Sequence, residues 1–446
     1  MLLATPGTLA GAFGVPAEPL ISVVGEAPAF ALAALVALDA PLDPVADPIG
    51  GPSTPIDQLH GIALLDRLGS MPRGDVGAFL DAHPQAVSEL LAAPPSAAQV
   101  TAWWKGASVT GRATLRELAP ELVGNLEGVP YRTRDLANRA VLATARQQLG
   151  SRLADGTVGR AERDELVNRL HMLDQIDKAL QPDGQRRRLV TLDVTGEGRA
   201  VVTVGDLATA DYVEYLVPGM FFGVDAQIEA WTATAQTLVD DQERWLRVLH
   251  PESHATVAAV AWIGYTTPSL VNVASMELAR EGRDALTDSL QGLRASRGDD
   301  QPYLAVLAHS YGSTAALLSL EEDDVHVDAL AVVGSPGSPA RSVDELHVTD
   351  GNVWVGAADW DPIPASGVFG SQPASRAYGA QLFSVAAGSD PVTGSALTGA
   401  ITHNDYFAPG SMSLRNLALI GIGEGAYVTG PDHSRGDFAR ALTRVF

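Results

Sequence analysis

The stretch Tyr303-Leu-Ala-Val-Leu-Ala-His-Ser-Tyr-Gly-Ser-Thr-Ala-Ala-Leu-Leu318 constrains the fold more than any other part of the chain. Tyr303 to Ala308 form a short apolar run of buried-strand length, and the residues after Gly312 read as a helix. Between them stands Ala308-His309-Ser310-Tyr311-Gly312, a serine with small residues two positions before and two positions after it. A strand that turns directly into a helix around a serine makes a sharp, strained bend. The two elements then pack so closely that only small side chains fit at those positions. Alanine replaces the more usual glycine at the first of them and is the next smallest choice. Such a bend lifts the Ser310 hydroxyl above the sheet edge. It also aims the Tyr311 backbone N–H and the helix N-terminus at negative charge developing beside that hydroxyl. His309 is read as structural, because neighbours at a bend of this kind point apart.

The surrounding sequence supplies the sheet that the bend needs. From residue 186 to 446 short apolar strands alternate with helices. The expected strands are Leu189–Val194, Ala200–Val204, Tyr212–Val217, Thr256–Ile263, Tyr303–Ala308, Ala329–Val333, Asn352–Val355 and Leu382–Ala386. The first two read as a hairpin around Gly196-Glu197-Gly198. Later strands are uninterrupted apolar runs, as a mostly parallel sheet with helices on both faces requires. Val224, Ile228, Trp231, Leu238, Trp245 and Leu249 mark one amphipathic helix between the third and fourth strands. Residues 56–185 read as an all-helical domain. Pro84 suits a first helical position, Ser96 with Gln99 makes a capping box, and Leu166, Leu170, Leu173, Ile176 and Leu180 recur at helical spacing until Pro182 and Gly184. Residues 1–55 form a Pro- and Gly-rich apolar segment ending in the turn run Asp47–Pro52.

Composition then excludes whole classes of function. With 46% hydrophobic residues among 446, the chain can bury a full core, so wholesale disorder is ruled out. No cysteine occurs, which removes thiolate metal sites, disulfides and cysteine nucleophiles. Lys105 and Lys178 are the only lysines, and 53 acidic residues against 30 basic ones leave a net charge of −23. Nucleic acid is therefore not an expected partner, and anionic membranes and substrates are repelled at long range. The apolar run Ala27–Ala37 is too short to span a bilayer, and the first Lys or Arg is Arg67, so neither stable membrane insertion nor a secretory signal is expected. The expected location is therefore cytoplasmic or unknown. Gly421-Ile-Gly-Glu-Gly425 lacks the strand and acidic partner of a nucleotide loop and reads as a helix end; no cofactor or metal is expected.

A serine hydroxyl needs a base, and in a site of this type acid and base follow the nucleophile in the order Ser, Asp/Glu, His. Two histidines follow the acid candidates. His403 comes after the last expected strand and is preferred; His433 lies near the C-terminus and is the alternative. At the end of the strand Asn352–Val355 both Asp359 and Asp361 are available. Asp361 is favoured because Pro362 fixes a turn that can direct its carboxylate, and Asp359 stays open. A second oxyanion donor is expected in the loop Val217-Pro218-Gly219-Met220-Phe221-Phe222, at the Met220 N–H, with Gly219 allowing close backbone approach. Gly219, Phe221, Tyr265 and Tyr406 are expected to line the substrate site. The interval from Val333 to Asn352 is too short for a large cap. A cover would come from the N-terminal helices packing over or beside the site, which is preferred, or from loops 363–381 and 387–402.

Together, Val217-Pro218-Gly219, Trp262-Ile-Gly-Tyr265, His309-Ser-Tyr-Gly312, Val333-Gly-Ser-Pro-Gly337, Asp361-Pro362 and His403 with Tyr406 resemble the actinobacterial alpha/beta-hydrolase domain family of unknown function. The stretches Trp103-Trp104, Gly124–Pro130 and Arg134–Asn138 are similar to what often precedes that domain. The resemblance implies an alpha/beta-hydrolase fold and a Ser310–Asp361–His403 triad. The expected activity is hydrolysis of a small carboxylic ester through an acyl-enzyme. An amidase or acyltransferase would use the same residues, and a non-catalytic interaction protein on this scaffold is the rival of another class. Oligomeric state is not legible.

Overall fold

The computed structural model describes residues 54–181, 184–269 and 271–431, and from Thr54 onward these form one compact unit. The apolar run Ala27–Ala37, the turn Asp47–Pro52, Pro182 and His433 lie outside the described residues. The helical part contains α1 (Gly61–Ser70), α2 (Arg73–Ala82), α3 (Ala86–Ala92), α4 (Ala97–Gly106), α5 (Val109–Leu118), α6 (Pro120–Asn125), α7 (Tyr131–Ala154) and α8 (Arg160–Ala179). Ser96 and Gln99 cap α4 reciprocally, each side chain taking the other's backbone N–H. Pro84 lies in the turn ahead of α3 instead of at its first position, since that helix starts only at Ala86. Leu65, Leu68, Val100, Trp104, Leu115 and Leu122 form the core of α1 to α6.

The sheet follows as β1 (Arg187–Asp193), β2 (Arg199–Val204), β3 (Tyr212–Val217), β4 (Val257–Ile263), β5 (Tyr303–His309), β6 (Ala329–Val333), β7 (Val353–Gly356) and β8 (Gln381–Leu382). Its spatial order is β1-β2-β4-β3-β5-β6-β7-β8; β2 runs antiparallel to both neighbours and the other pairings are parallel. Every residue of β4 and β6 is buried, which is why these strands read as unbroken apolar runs. Alternate side chains enter two cores. Val213, Tyr215 and Val217 face α10 (Glu277–Arg297) and α11 (Tyr311–Ser319), while Leu216 faces α9 (Val224–Leu249) and α12 (Met412–Gly421). The expected strand Leu382–Ala386 is cut short at Leu382. Ser384 turns its N–H to the Thr429 carbonyl (2.8 Å) and leaves the ladder. The following loop carries a small hairpin, β9 (Gly388–Ser389) and β10 (Ala396–Leu397).

Strand β1 is an edge, and its free backbone groups are met by side chains of the helical part. The Asn125 amide brackets Leu192, accepting its N–H (2.8 Å) and donating to its carbonyl (2.9 Å). Asp135 accepts the Leu189 N–H (2.8 Å), Asn138 donates to the Leu189 carbonyl (3.1 Å), and Arg139 donates to the Arg187 carbonyl (3.0 Å). Polar residues at the end of α6 and along α7 thus close an edge that would otherwise be open to another strand. Val141, Leu142, Met172, Leu173 and Ile176 of α7 and α8 continue the core under α9. The helical part therefore lies at the β1 side, with β2, β4 and β3 between β1 and β5. Among the described residues no helix is long and apolar enough to cross a membrane.

Candidate active site

Ser310 alone forms the bend between β5 and α11, at φ 52° and ψ −130°, a region sterically costly for any residue with a Cβ. Its N–H donates to the Val333 carbonyl (3.0 Å) and its carbonyl accepts the Ser313 N–H (2.9 Å), which holds the strain in place. Space around the bend is minimal. A Cβ on Gly312 would stand 2.2 Å from the Pro218 oxygen, and one on Gly219 would stand 2.6 Å from the Ser310 Cβ.

The structure brings His403 and Asp361 to this serine. His403 Nε2 is 2.7 Å from Ser310 Oγ and Nδ1 is 2.8 Å from Asp361 Oδ2. Burial would raise the Asp361 carboxyl, but hydrogen bonds from His403, Tyr406 and the Ile363 N–H outweigh it and hold the group below the ordinary aspartate value. An ionised carboxylate only accepts, so Nδ1 carries the imidazole proton and the Nε2 lone pair faces the serine hydroxyl. Asp359 is exposed and takes no part in this chain of bonds.

The loop after β3 lies against the serine through Gly219. The Met220 and Tyr311 backbone N–H groups have no intramolecular acceptor among the described residues, and Tyr311 opens α11. Phe221, at φ 61°, keeps a half-exposed ring and ties the loop to the next one through its N–H and the Pro268 carbonyl (3.0 Å).

Two residues expected to line the substrate site are placed differently. Tyr265 is buried, stacks on Trp262 with ring centroids 5.6 Å apart, and donates to the Pro218 carbonyl (2.9 Å). It supports the Gly219 loop from behind, because its ring continues the apolar layer over α10. Tyr406 is fully buried; its hydroxyl donates to Asp361 Oδ2 (2.7 Å) and accepts the Ala358 N–H (2.9 Å).

Sequence reasoning also passed over two contacts. Gly334, at φ 59° after β6, leaves room for the base: a Cβ there would come within 3.0 Å of both the His403 ring and the Tyr406 ring. Its signals in the sequence are a glycine closing an apolar strand and its place in the stretch Val333-Gly-Ser-Pro-Gly337. His309 donates from Nε2 to the His403 carbonyl (2.7 Å), and its ring lies 4.7 Å from the His403 ring. Burial, aided by the neighbouring His403, pushes the His309 imidazole down to about 4, so it stays neutral beside the base. A cleft of about 710 Å³ between the helical part and β1, β2 and α10 does not include Ser310.

Residues 193–370 match the family model described as alpha/beta hydrolase; the match includes Ser310 and Asp361 and ends before His403. Over 415 aligned residues the chain is 28% identical to the uncharacterized proteins Rv2079 and MT2140 of two Mycobacterium tuberculosis strains. The alignment covers 82% of this chain, which spans 62% of the length of these curated relatives. Among solved structures, a hyperthermophilic esterase from the archaeon Pyrobaculum calidifontis is 14% identical with a TM-score of 0.34, over 63% of this chain and 96% of that one. A dienelactone hydrolase from Anabaena variabilis is 11% identical with a TM-score of 0.32, over 55% and 100%. The family match over residues 193–370, the sheet order and the bend at Ser310 together give this chain an alpha/beta-hydrolase fold.

Proposed function

We propose that the protein is a serine hydrolase that cleaves neutral carboxylic esters through an acyl-enzyme. The observation that carries this reading is the unbroken hydrogen-bond chain Asp361–His403–Ser310 beside two backbone N–H groups without acceptors among the described residues. His403 Nε2 takes the Ser310 proton as Oγ attacks the ester carbonyl carbon. Negative charge gathers on the carbonyl oxygen, where the Tyr311 and Met220 N–H groups can meet it. The tetrahedral species collapses, and His403 returns the proton to the departing alcohol. Water activated by the same imidazole then releases the acid and restores Ser310. Asp361 keeps the imidazole in the required tautomer and balances its positive charge during transfer.

Substrate class follows from what surrounds these groups. Phe221, Trp360 and Ile401 are exposed by 52%, 81% and 62%. They sit on the three loops that carry Met220, Asp361 and His403, an arrangement suited to an apolar acyl or alcohol group. The net charge of −23 disfavours anionic substrates. The test is a fluorophosphonate probe and a panel of neutral esters and amides, run on the full chain and on Ser310→Ala. Loss of labelling and a fall in turnover of about a thousandfold or more is expected. Undiminished hydrolysis by Ser310→Ala would overturn the assignment, and faster turnover of amides would redirect it.

A further inference from the structure

Tyr406 shares an oxygen with the base. Asp361 Oδ2 receives both His403 Nδ1–H (2.8 Å) and the Tyr406 hydroxyl (2.7 Å), while Oδ1 receives the Ile363 N–H (3.0 Å). With a donor on each oxygen the carboxylate cannot turn about its Cβ–Cγ bond without breaking one, and the oxygen facing His403 is the one Tyr406 holds. Tyr406 is itself fixed. Its ring is fully buried beneath Gly334 and 5.9 Å from the His309 ring, and its oxygen accepts the Ala358 N–H (2.9 Å).

Base and donor also come from one short turn. His403 and Tyr406 are three residues apart, and Asp405 between them clasps the start of that turn by accepting the Thr402 (2.6 Å) and Ile401 (3.1 Å) N–H groups. The turn therefore grips Asp361 with two side chains at once, and His309 fastens it to the strand end through the His403 carbonyl (2.7 Å). A tyrosine that merely filled the core would need no bond to the acid. Burial moves its hydroxyl far above the ordinary tyrosine range, so it remains a donor throughout the pH range of any assay.

We propose that Tyr406 is a positioning residue, one that never meets substrate but sets the direction and strength of the Asp361–His403 hydrogen bond. This rests on the triad reading above. The hydroxyl draws off part of the charge on Oδ2. Without it, Asp361 pulls harder on the imidazole proton and Oδ2 is held by His403 alone, so the charged base is stabilised too strongly and the pair is less firmly aligned.

The test is Tyr406→Phe in the full chain, which deletes one oxygen and keeps the ring. With a neutral nitrophenyl ester, kcat should fall about tenfold to a hundredfold, as for a lost hydrogen bond to a charged group, while KM changes less than about twofold. The acid limb of the kcat/KM profile should move to higher pH by about half a unit. A fluorinated tyrosine at 406, a stronger donor of nearly the same size, should move that limb the other way and covers the case in which Tyr406→Phe fails to fold. The downfield proton resonance of His403 Nδ1–H should shift in both variants whether or not the protein is active. Hydrolysis surviving in Ser310→Ala would sink the triad reading alone, and the resonance would then decide the positioning role. Unchanged kcat, pH profile and resonance, with only a lower melting temperature, would reduce Tyr406 to core packing.

Discussion

At the scale of single residues, the bend at Ser310 works through exclusion. Gly219 and Gly312 stand so close to Ser310 and Pro218 that a methyl group at either position has nowhere to go. Gly219→Ala needs no unusual backbone angle, so the fold should survive. The loop bearing the Met220 N–H must then retreat by about an ångström, a displacement that can cost about a hundredfold in kcat. Steady-state kinetics alongside an unchanged circular dichroism spectrum would check this, and wild-type kcat in that variant would refute it. The serine and its candidate partners were legible because their signals are local: small residues around one bend, an aspartate before a proline, a histidine after the last strand. Tyr265 and Tyr406 were not. Sequence order places a side chain near a site without telling whether it faces substrate or the back of the machinery.

Among the elements, β3 carries the clearest conflict between pattern and chemistry. Glu214 lies on the face covered by α9 and α12, fully buried, and neither carboxyl oxygen has a hydrogen-bond partner among the described residues. A Cβ on Gly421 of α12 would meet both the Gln242 amide of α9 (2.3 Å) and the Glu214 side chain (2.9 Å). Burial pushes the Glu214 carboxyl well above the ordinary glutamate value, so the folded protein holds a proton that the unfolded chain has released. Stability from this group is therefore lost as pH rises above about 4.5, by about 1.4 kcal/mol per pH unit until the folded-state value is reached. Glu214→Gln should unfold at a higher temperature than wild type at pH 8 and at nearly the same temperature at pH 4. An equal shift at both pH values would contradict it. The boundaries of β1 illustrate what local pattern misses: the expected strand starts at Leu189, yet β1 starts at Arg187, and Arg187 and Arg188 are both buried in it. Arg188 pairs with Asp206 and Arg187 donates to the Ala179 carbonyl.

For the whole molecule, the helical part and the sheet depend on each other. Asn125, Asp135, Asn138 and Arg139 occupy the β1 edge, and α7 and α8 cover apolar surface of β1 and α9. Removing residues 1–180 should give a protein that aggregates or fails to fold, because it exposes an edge strand and several large apolar side chains worth about 1.5–3 kcal/mol each. A soluble, monodisperse truncation with native-like melting would disprove this dependence. The sequence by itself determined the α/β class, the strand–bend–helix unit around Ser310 and the chemistry available to it. Each of these follows from periodicity or residue size within a few neighbouring positions. Only the tertiary structure decided that Asp361, and not Asp359, meets His403, that Tyr406 stands behind the acid, and that polar residues of α6 and α7 close the sheet. Those choices depend on the directions of side chains brought together across tens to hundreds of residues, and direction in space is set by packing.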